Sequence, residues 1–208
     1  MVAVVDYGVG NLFSLCSSLR AIGAEAVVTD DPAVLAAADR ILLPGVGAFG
    51  DAADKLRERG LFDVLRNLAN DGKPLLGICL GMQLLFEKGY EYGEHEGLGL
   101  IQGAVRPIAE VIPEGLKIPH IGWNALSLGE KKHPLFRYLE EGECVYFVHS
   151  YYGTDCAESV IATAEYGAPL TAAVANGNVM GCQFHPEKSG KAGLSILRAF
   201  AEMEVPVC

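Results

Sequence analysis

An α/β fold with a largely parallel sheet is predicted by two features of this chain. Through residue 88, short apolar runs alternate with helical patterns, an order that calls for crossover connections and parallel strands covered on both faces. Beyond residue 88 the texture changes to short strands separated by Gly, Pro or Asn turns, which adds antiparallel strands in the second half. Composition agrees: 208 residues, 50% apolar and 20% charged, suit a globular chain able to bury one substantial core. With no linker, low-complexity tract or internal repeat, residues 1–208 read as one domain.

In order, the apolar run 2–6 predicts a strand, 11–22 a helix, 26–29 a strand, 32–38 a short helix and 40–43 a strand. Helical patterns at 49–59 and 61–70 lead into an apolar strand at 74–78, followed by a helical pattern over 80–88. Strands are then expected at 97–108, 119–128, 145–149, 159–165, 170–175 and 179–184, and a closing helix at 191–202.

Several function classes are disfavoured. The formal charge is −10 and no basic block exceeds Lys131-Lys132, so the electrostatic footprint for nucleic acid or anionic membrane is missing. The N-terminus lacks a cationic region and meets Asp6 early, unlike a signal peptide. The longest nearly apolar stretch, 74–86, is too short to span a bilayer. The 6 cysteines (Cys16, Cys79, Cys144, Cys156, Cys182, Cys208) contain no C-x-x-C pair, which points to a reducing cytoplasm.

The most informative motif is Gly77-Ile78-Cys79-Leu80-Gly81. It is the thiol counterpart of a nucleophile elbow, in which flanking glycines let a strand turn sharply into a helix and present the nucleophile at the helix N-terminus. There the free amides and the dipole favour thiolate. Far downstream stands His185-Pro186-Glu187. Pro186 disfavours a helical His185, and at an extended strand end positions i and i+2 share a side, so Glu187 can orient His185 while His185 exchanges a proton with Cys79.

Acyl transfer also needs donors for an oxyanion. The N–H of Leu80 is one source; the other is Pro44-Gly45-Val46-Gly47, where glycines free the backbone near Val46 and Gly47 to aim an amide into the crevice. Gln83 lies one helical turn beyond Cys79 and can line a small polar pocket.

Other features carry less. Gly8-Val9-Gly10 follows a strand and opens a helix, but Phe13 replaces the third glycine of a dinucleotide fingerprint. There is no P-loop. His95, His120, His133 and His149 lack metal-ligand spacing, and no cofactor is called for. Cys16, Cys144, Cys156 and Cys182 read as buried small hydrophobes.

With these residues assembled, the chain resembles the class I glutamine amidotransferases, whose glutaminase module carries a Cys, His, Glu triad. Within that family it is most similar to the branch serving imidazole glycerol phosphate synthases. The match is carried by Val5-Asp6-Tyr7-Gly8-Val9-Gly10-Asn11-Leu12, Leu43-Pro44-Gly45-Val46-Gly47-Ala48-Phe49 and Gly77 to Leu84. It continues through Pro119-His120-Ile121-Gly122-Trp123-Asn124, Tyr146-Phe147-Val148-His149-Ser150-Tyr151 and Gln183-Phe184-His185-Pro186-Glu187-Lys188-Ser189. The first two segments separate it from anthranilate synthase and pyridoxal phosphate synthase glutaminases, and no family motif is broken.

The resemblance implies a flavodoxin-like fold and a glutaminase that works through a cysteinyl thioester. Cys79, His185 and Glu187 would form the triad, with Val46, Gly47 and Leu80 around the oxyanion and Gly45, Gln83, His149, Ser150 and Tyr151 around glutamine. It implies a heterodimer with a (β/α)8-barrel cyclase subunit that receives the ammonia for histidine biosynthesis, with Asn11, Trp123, Asn124 and Lys188 at or near the interface. It further implies low activity until that subunit binds its own ligand, and glycines on both sides of Val46 make a peptide flip there cheap. Alternatives are a stand-alone thiol hydrolase or peptidase, a glutaminase for a different synthase, and a non-enzymatic module.

Overall fold

The N-terminal alternation folds as its pattern predicts. In the computed structural model, which describes residues 1–129 and 131–204, the chain begins with β1 (Val2–Val5), α1 (Leu12–Ala21), β2 (Ala26–Thr29) and α2 (Pro32–Ala37). β3 (Arg40–Gly45), α3 (Phe49–Glu58), α4 (Leu61–Asn70) and β4 (Leu75–Cys79) follow. Asn11 caps α1, its side-chain oxygen accepting from the Ser14 N–H, and Asp31 caps α2 with Pro32 in the first turn.

Residues 80–88, expected as one helix, divide instead. α5 (Leu80–Gln83) stops early and β5 (Phe86–Gly89) is a strand. The carbonyls a longer helix would use are claimed from a distance: Leu98 N–H donates to Leu84 O, and the amides of Leu100 and Ile101 both donate to Leu85 O. Phe86 then pairs with Ile101, so tertiary pairing overrides the local helical pattern.

The remainder comprises β6 (His95–Glu96), β7 (Ile101–Pro107), β8 (His120–Ala125), β9 (Cys144–His149), β10 (Tyr151–Thr154), β11 (Val160–Glu165), β12 (Pro169–Asn176), β13 (Val179–Cys182) and α6 (Gly190–Glu202). The strands expected at 97–108 and 119–128 are shorter than their patterns, and β5, β6 and β10 were not foreseen.

The central sheet has the order β11-β12-β13-β4-β3-β1-β2. Pairings from β2 through β1, β3 and β4 to β13 are parallel, whereas β12 and β11 extend the sheet antiparallel. The parallel part thus runs 2-1-3-4 with a fifth strand supplied late, which is the flavodoxin-like order. β1, β3, β4 and β13 are buried on both faces, as their apolar runs require, while β2 at the edge is partly exposed. Ala3, Val5, Ile41 and Leu43 face α2, α3 and α4, while Val2, Val4 and Leu42 face α1, α6 and β9. A second sheet, β10-β7-β5-β6, and the ribbon β8-β9 complete the fold.

Register places the chemistry. Gly45 at the end of β3 pairs with Cys79 at the end of β4, and Cys182 at the end of β13 pairs with Ile78. The segments 44–47, 79–83 and 183–187 therefore emerge side by side at the carboxyl ends of adjacent parallel strands, where open α/β sheets form their crevices.

Candidate active site

Cys79 has φ 55° and ψ −112°, a positive φ that few non-glycine residues adopt. The elbow is locked by its glycines. A Cβ on Gly81 would lie 1.8 Å from Leu43 O, and one on Gly77 would lie 2.5 Å from Gly81 O. Gly45 is equally confined, between Gly81 N, the Tyr7 hydroxyl and Leu80 Cβ. It packs beneath the elbow, next to the residues that line the cleft.

His185 and Glu187 meet: Nδ1 lies 2.8 Å from Oε1, and both side chains are almost fully buried. His185 is extended, but Pro186–Lys188 is a turn of 3-10 helix, so Glu187 arrives by that turn and not by strand alternation. The His185 N–H donates to Tyr146 O, and Ser189 Oγ donates to His185 O while accepting from Tyr146 N–H, which pins the imidazole to β9. Burial works against a charged His185 ring, yet its nearness to the Cys79 sulfur and then to Glu187 outweighs burial and raises its pKa to about 9. Among the described residues Nε2 is buried without a hydrogen-bond partner, so it stays available for proton exchange while Nδ1 is held by Glu187.

A cleft of about 340 Å³ opens over Cys79. Val46, Gly47, Leu80 and Gln83 line it from the elbow side, and Pro119, Val148, His149, Ser150 and Tyr151 from the other; His185 and Lys188 close it. Leu80 is the first residue of α5, where amides have no partner within the helix. Gly47 takes φ 102°, and Val46 is exposed.

Two residues given no role in the sequence reading belong here. Gln183, wholly buried, aims its Nε2 at Cys79 Sγ over 3.8 Å. Glu91 lines the cleft and accepts from the Phe49 N–H at the start of α3. Gln183 lies next to the H-P-E motif, which could have flagged it; Glu91 sits in a loop with no motif. Gln83 spends both amide hydrogens inside the protein, on Tyr151 O (3.2 Å) and Gln183 Oε1 (3.0 Å), which leaves Oε1 as its free acceptor. Burial lowers the His149 pKa to about 4.

The residues expected at an interface diverge. Trp123 is 59% exposed beside exposed Ile121, packs edge-on against Tyr146, and Lys188 Nζ lies over the same Tyr146 ring. Asn11 caps α1, with Phe13 just beyond it 83% exposed in place of a fingerprint glycine. Asn124 is half-buried: Nδ2 donates to Glu165 O and faces His120, while Oδ1 accepts from Ala125 N–H and keeps a second lone pair free. Of the other cysteines, Cys156 and Cys182 are buried, Cys16 is half-buried, and Cys144 is exposed because it falls on the outward phase of β9; Cys208 lies outside the described residues.

The family model for glutamine amidotransferase class-I matches residues 3–203. The chain therefore belongs to the class-I glutamine amidotransferase family, whose members are glutamine-hydrolysing enzymes. Within it, the chain is 49% identical over 204 residues to the imidazole glycerol phosphate synthase subunit HisH of Sulfurimonas denitrificans, covering 97% of this chain and 98% of that protein. It is 50% identical over 199 residues to the subunit of the same name from Aquifex aeolicus, covering 95% and 94%. A crystal structure of a glutamine amidotransferase superposes with a TM-score of 0.75 at 22% identity over 98% of this chain and all 100% of the other. A chain of the PurLQS structure from Thermotoga maritima gives 0.72 at 24%, covering 96% of each. At these identities the likeness is one of fold.

Proposed function

We propose that this chain, as one glutaminase domain over residues 1–208, is the glutaminase subunit of an imidazole glycerol phosphate synthase. The observation that carries the reading is identity of 47–50% to subunits of that name along nearly their whole length. The cleft supplies the chemistry. The Cys79 thiolate attacks the side-chain carboxamide carbon of glutamine, and the amides near Val46, Gly47 and Leu80 take the oxyanion. Imidazolium of His185, oriented by Glu187, gives its Nε2 proton to the departing ammonia. Water then adds to the γ-glutamyl thioester with His185 as base, releasing glutamate and returning the sulfur to its starting form. Glu91 and Gln83 Oε1 are acceptors suited to the substrate's α-ammonium group, and Ser150 and Tyr151 flank it.

A cytoplasmic heterodimer with a (β/α)8-barrel cyclase completes the proposal. Ammonia is mostly protonated at neutral pH, so its use by a second subunit calls for a closed path from the cleft. The exposed Trp123, Ile121 and Phe13, with Lys188 beside the cleft mouth, support a docking face there. No described helix is long and apolar enough to cross a membrane. The test has two arms. Cys79→Ala is expected to abolish glutamine hydrolysis with an unchanged melting profile, and glutamine-dependent cyclase product is expected only when both subunits are present. Full hydrolysis of peptides or γ-glutamyl compounds by this chain alone would instead make it a free-standing hydrolase.

A further inference from the structure

A line of hydrogen bonds runs from the outer ribbon to the nucleophile, and backbone groups at two points fix its direction. Glu165 O and Tyr151 O can only accept. Asn124 must therefore present Nδ2 to Glu165 O (2.8 Å), an orientation that Ala125 N–H enforces by donating to Oδ1 (2.8 Å). Its second hydrogen points to His120 Nε2 at 3.3 Å, which must then be an acceptor. His120 Nδ1 consequently carries the proton and donates to His149 Nε2 at 3.0 Å. His149 Nδ1 in turn donates to Tyr151 O at 2.8 Å. That carbonyl also accepts from Gln83 Nε2, whose other hydrogen goes to Gln183 Oε1, and Gln183 Nε2 reaches Cys79 Sγ. Both imidazoles are buried, His120 at 3% exposure and His149 at 5%, and His120 is stacked on Phe147 and on Tyr166.

We propose that His120 and His149 are positioning residues for the glutaminase site: locked as neutral Nδ1–H tautomers, they fix Tyr151 O and through it the carboxamides of Gln83 and Gln183. The consequence is double. Gln83 is held with Oε1 toward the cleft as an acceptor, and Gln183 is held with Nε2–H toward the Cys79 sulfur. Neither histidine touches a reacting atom; both act through Tyr151 O. If either ring were protonated, or if His120 took the other tautomer, two donors or two acceptors would face each other and the chain would lose its direction. The assignment rests on Cys79 being the nucleophile.

The substitutions at His120 separate hydrogen bonding from packing. His120→Asn places an amide where Nδ1–H was but gives up the stacking ring, whereas His120→Phe keeps the ring and gives up the donor. Measured as kcat/KM for glutamine in the complex with the cyclase, His120→Phe is expected to fall about tenfold, the size of one lost hydrogen bond in a transition state, and His120→Asn to stay within about threefold. An active His120→Phe with an impaired His120→Asn, or equal rates for the two, would overturn the proposal.

Should His120→Phe fail to fold, Asn124→Leu removes the donor that selects the tautomer without altering either ring. A loss of about threefold is expected, and no loss counts against the proposal. Independently, NMR of the full chain with ¹⁵N-labelled histidine at pH 7.5 should show both rings as neutral Nδ1–H tautomers. Either ring found as the Nε2–H form or as imidazolium refutes it. Cys79→Ser, run alongside, exposes failure of the underlying assignment: turnover retained there would remove the nucleophile whatever the histidine variants do.

Discussion

The wall of the cleft that carries Cys79 is held by backbone packed against backbone, whereas the wall that carries His149 and Tyr151 is held by directed hydrogen bonds between side chains. On the first wall Gly45, Gly77 and Gly81 sit where any Cβ would strike neighbouring backbone or the Tyr7 hydroxyl. On the second, His120 orients His149 and His149 orients Tyr151 O, and the line of bonds crosses from there to Gln83 and Gln183 beside Cys79. The first wall should therefore fail when atoms are added, and the second when protons are added or removed.

The largest effect is expected on the packed wall. Gly81→Ala puts a methyl 1.8 Å from Leu43 O, which neither β3 nor β4 can accommodate without parting. A loss of about 4 kcal/mol or more is expected, enough to remove soluble protein. Gly23→Ala is the control: φ is positive at 76°, but a Cβ there would meet no described atom within 4 Å, so only conformational strain of about 1 kcal/mol applies. Denaturant melts showing the two substitutions equal would mean that close backbone packing does not govern the elbow wall.

Between the walls, the His185–Glu187 pair combines packing with charge. Glu187→Gln keeps shape and much of the hydrogen bonding but removes the carboxylate that steadies the imidazolium. Glutaminase kcat in the complex should drop about 10²-fold or more at unchanged stability. A drop of only severalfold would mean that the Cys79 sulfur alone sustains the raised His185 pKa.

On the hydrogen-bonded wall the sensitive variable is pH. His149 is kept neutral by burial, with its pKa lowered to about 4 from an ordinary 6.5. Between those values the unfolded chain binds a proton that the folded chain refuses, so stability falls as pH drops from about 6.5 to about 4, by about 3 kcal/mol in all. Above 6.5 the two states are alike at this site and no dependence arises. His149→Asn, which retains a donor toward Tyr151 O, should flatten the stability profile in that window. Parallel curves for the two proteins would show that His149 does not titrate as its burial demands.

The same contrast explains what could be read in the sequence. The packed wall was legible because sterics leave a local mark: glycines on both sides of Cys79, unbroken apolar runs in β1, β3 and β4, and Pro186 beside His185. The hydrogen-bonded wall left almost none. Gln183 and His120 owe their roles to partners far away in the chain, as does Glu91, and nothing in a local window distinguishes an oriented buried amide from a surface one. The single secondary-structure error of consequence has the same origin. Residues 80–88 carry a helical pattern, but Leu84 and Leu85 surrender their carbonyls to 98–101, and the chain leaves the elbow as a strand.

Tyr7 tests the boundary of the comparison, because it uses a hydrogen bond inside the packed wall. Its hydroxyl, buried at the foot of the elbow, donates to Pro44 O at 2.8 Å and occupies the space a Gly45 side chain would need. Burial, with a smaller contribution from Cys79, raises its pKa, so it remains a neutral donor throughout the working range. Tyr7→Phe leaves Pro44 O without that partner while the surrounding backbone is still clamped by the glycines. The expected cost is about 1 kcal/mol of stability, with kcat reduced only severalfold, less than for His120→Phe. Were Tyr7→Phe the more damaging of the two, the geometry of segment 44–47 would depend on a directed bond as much as the opposite wall does, and sterics alone would not account for the elbow side of the cleft.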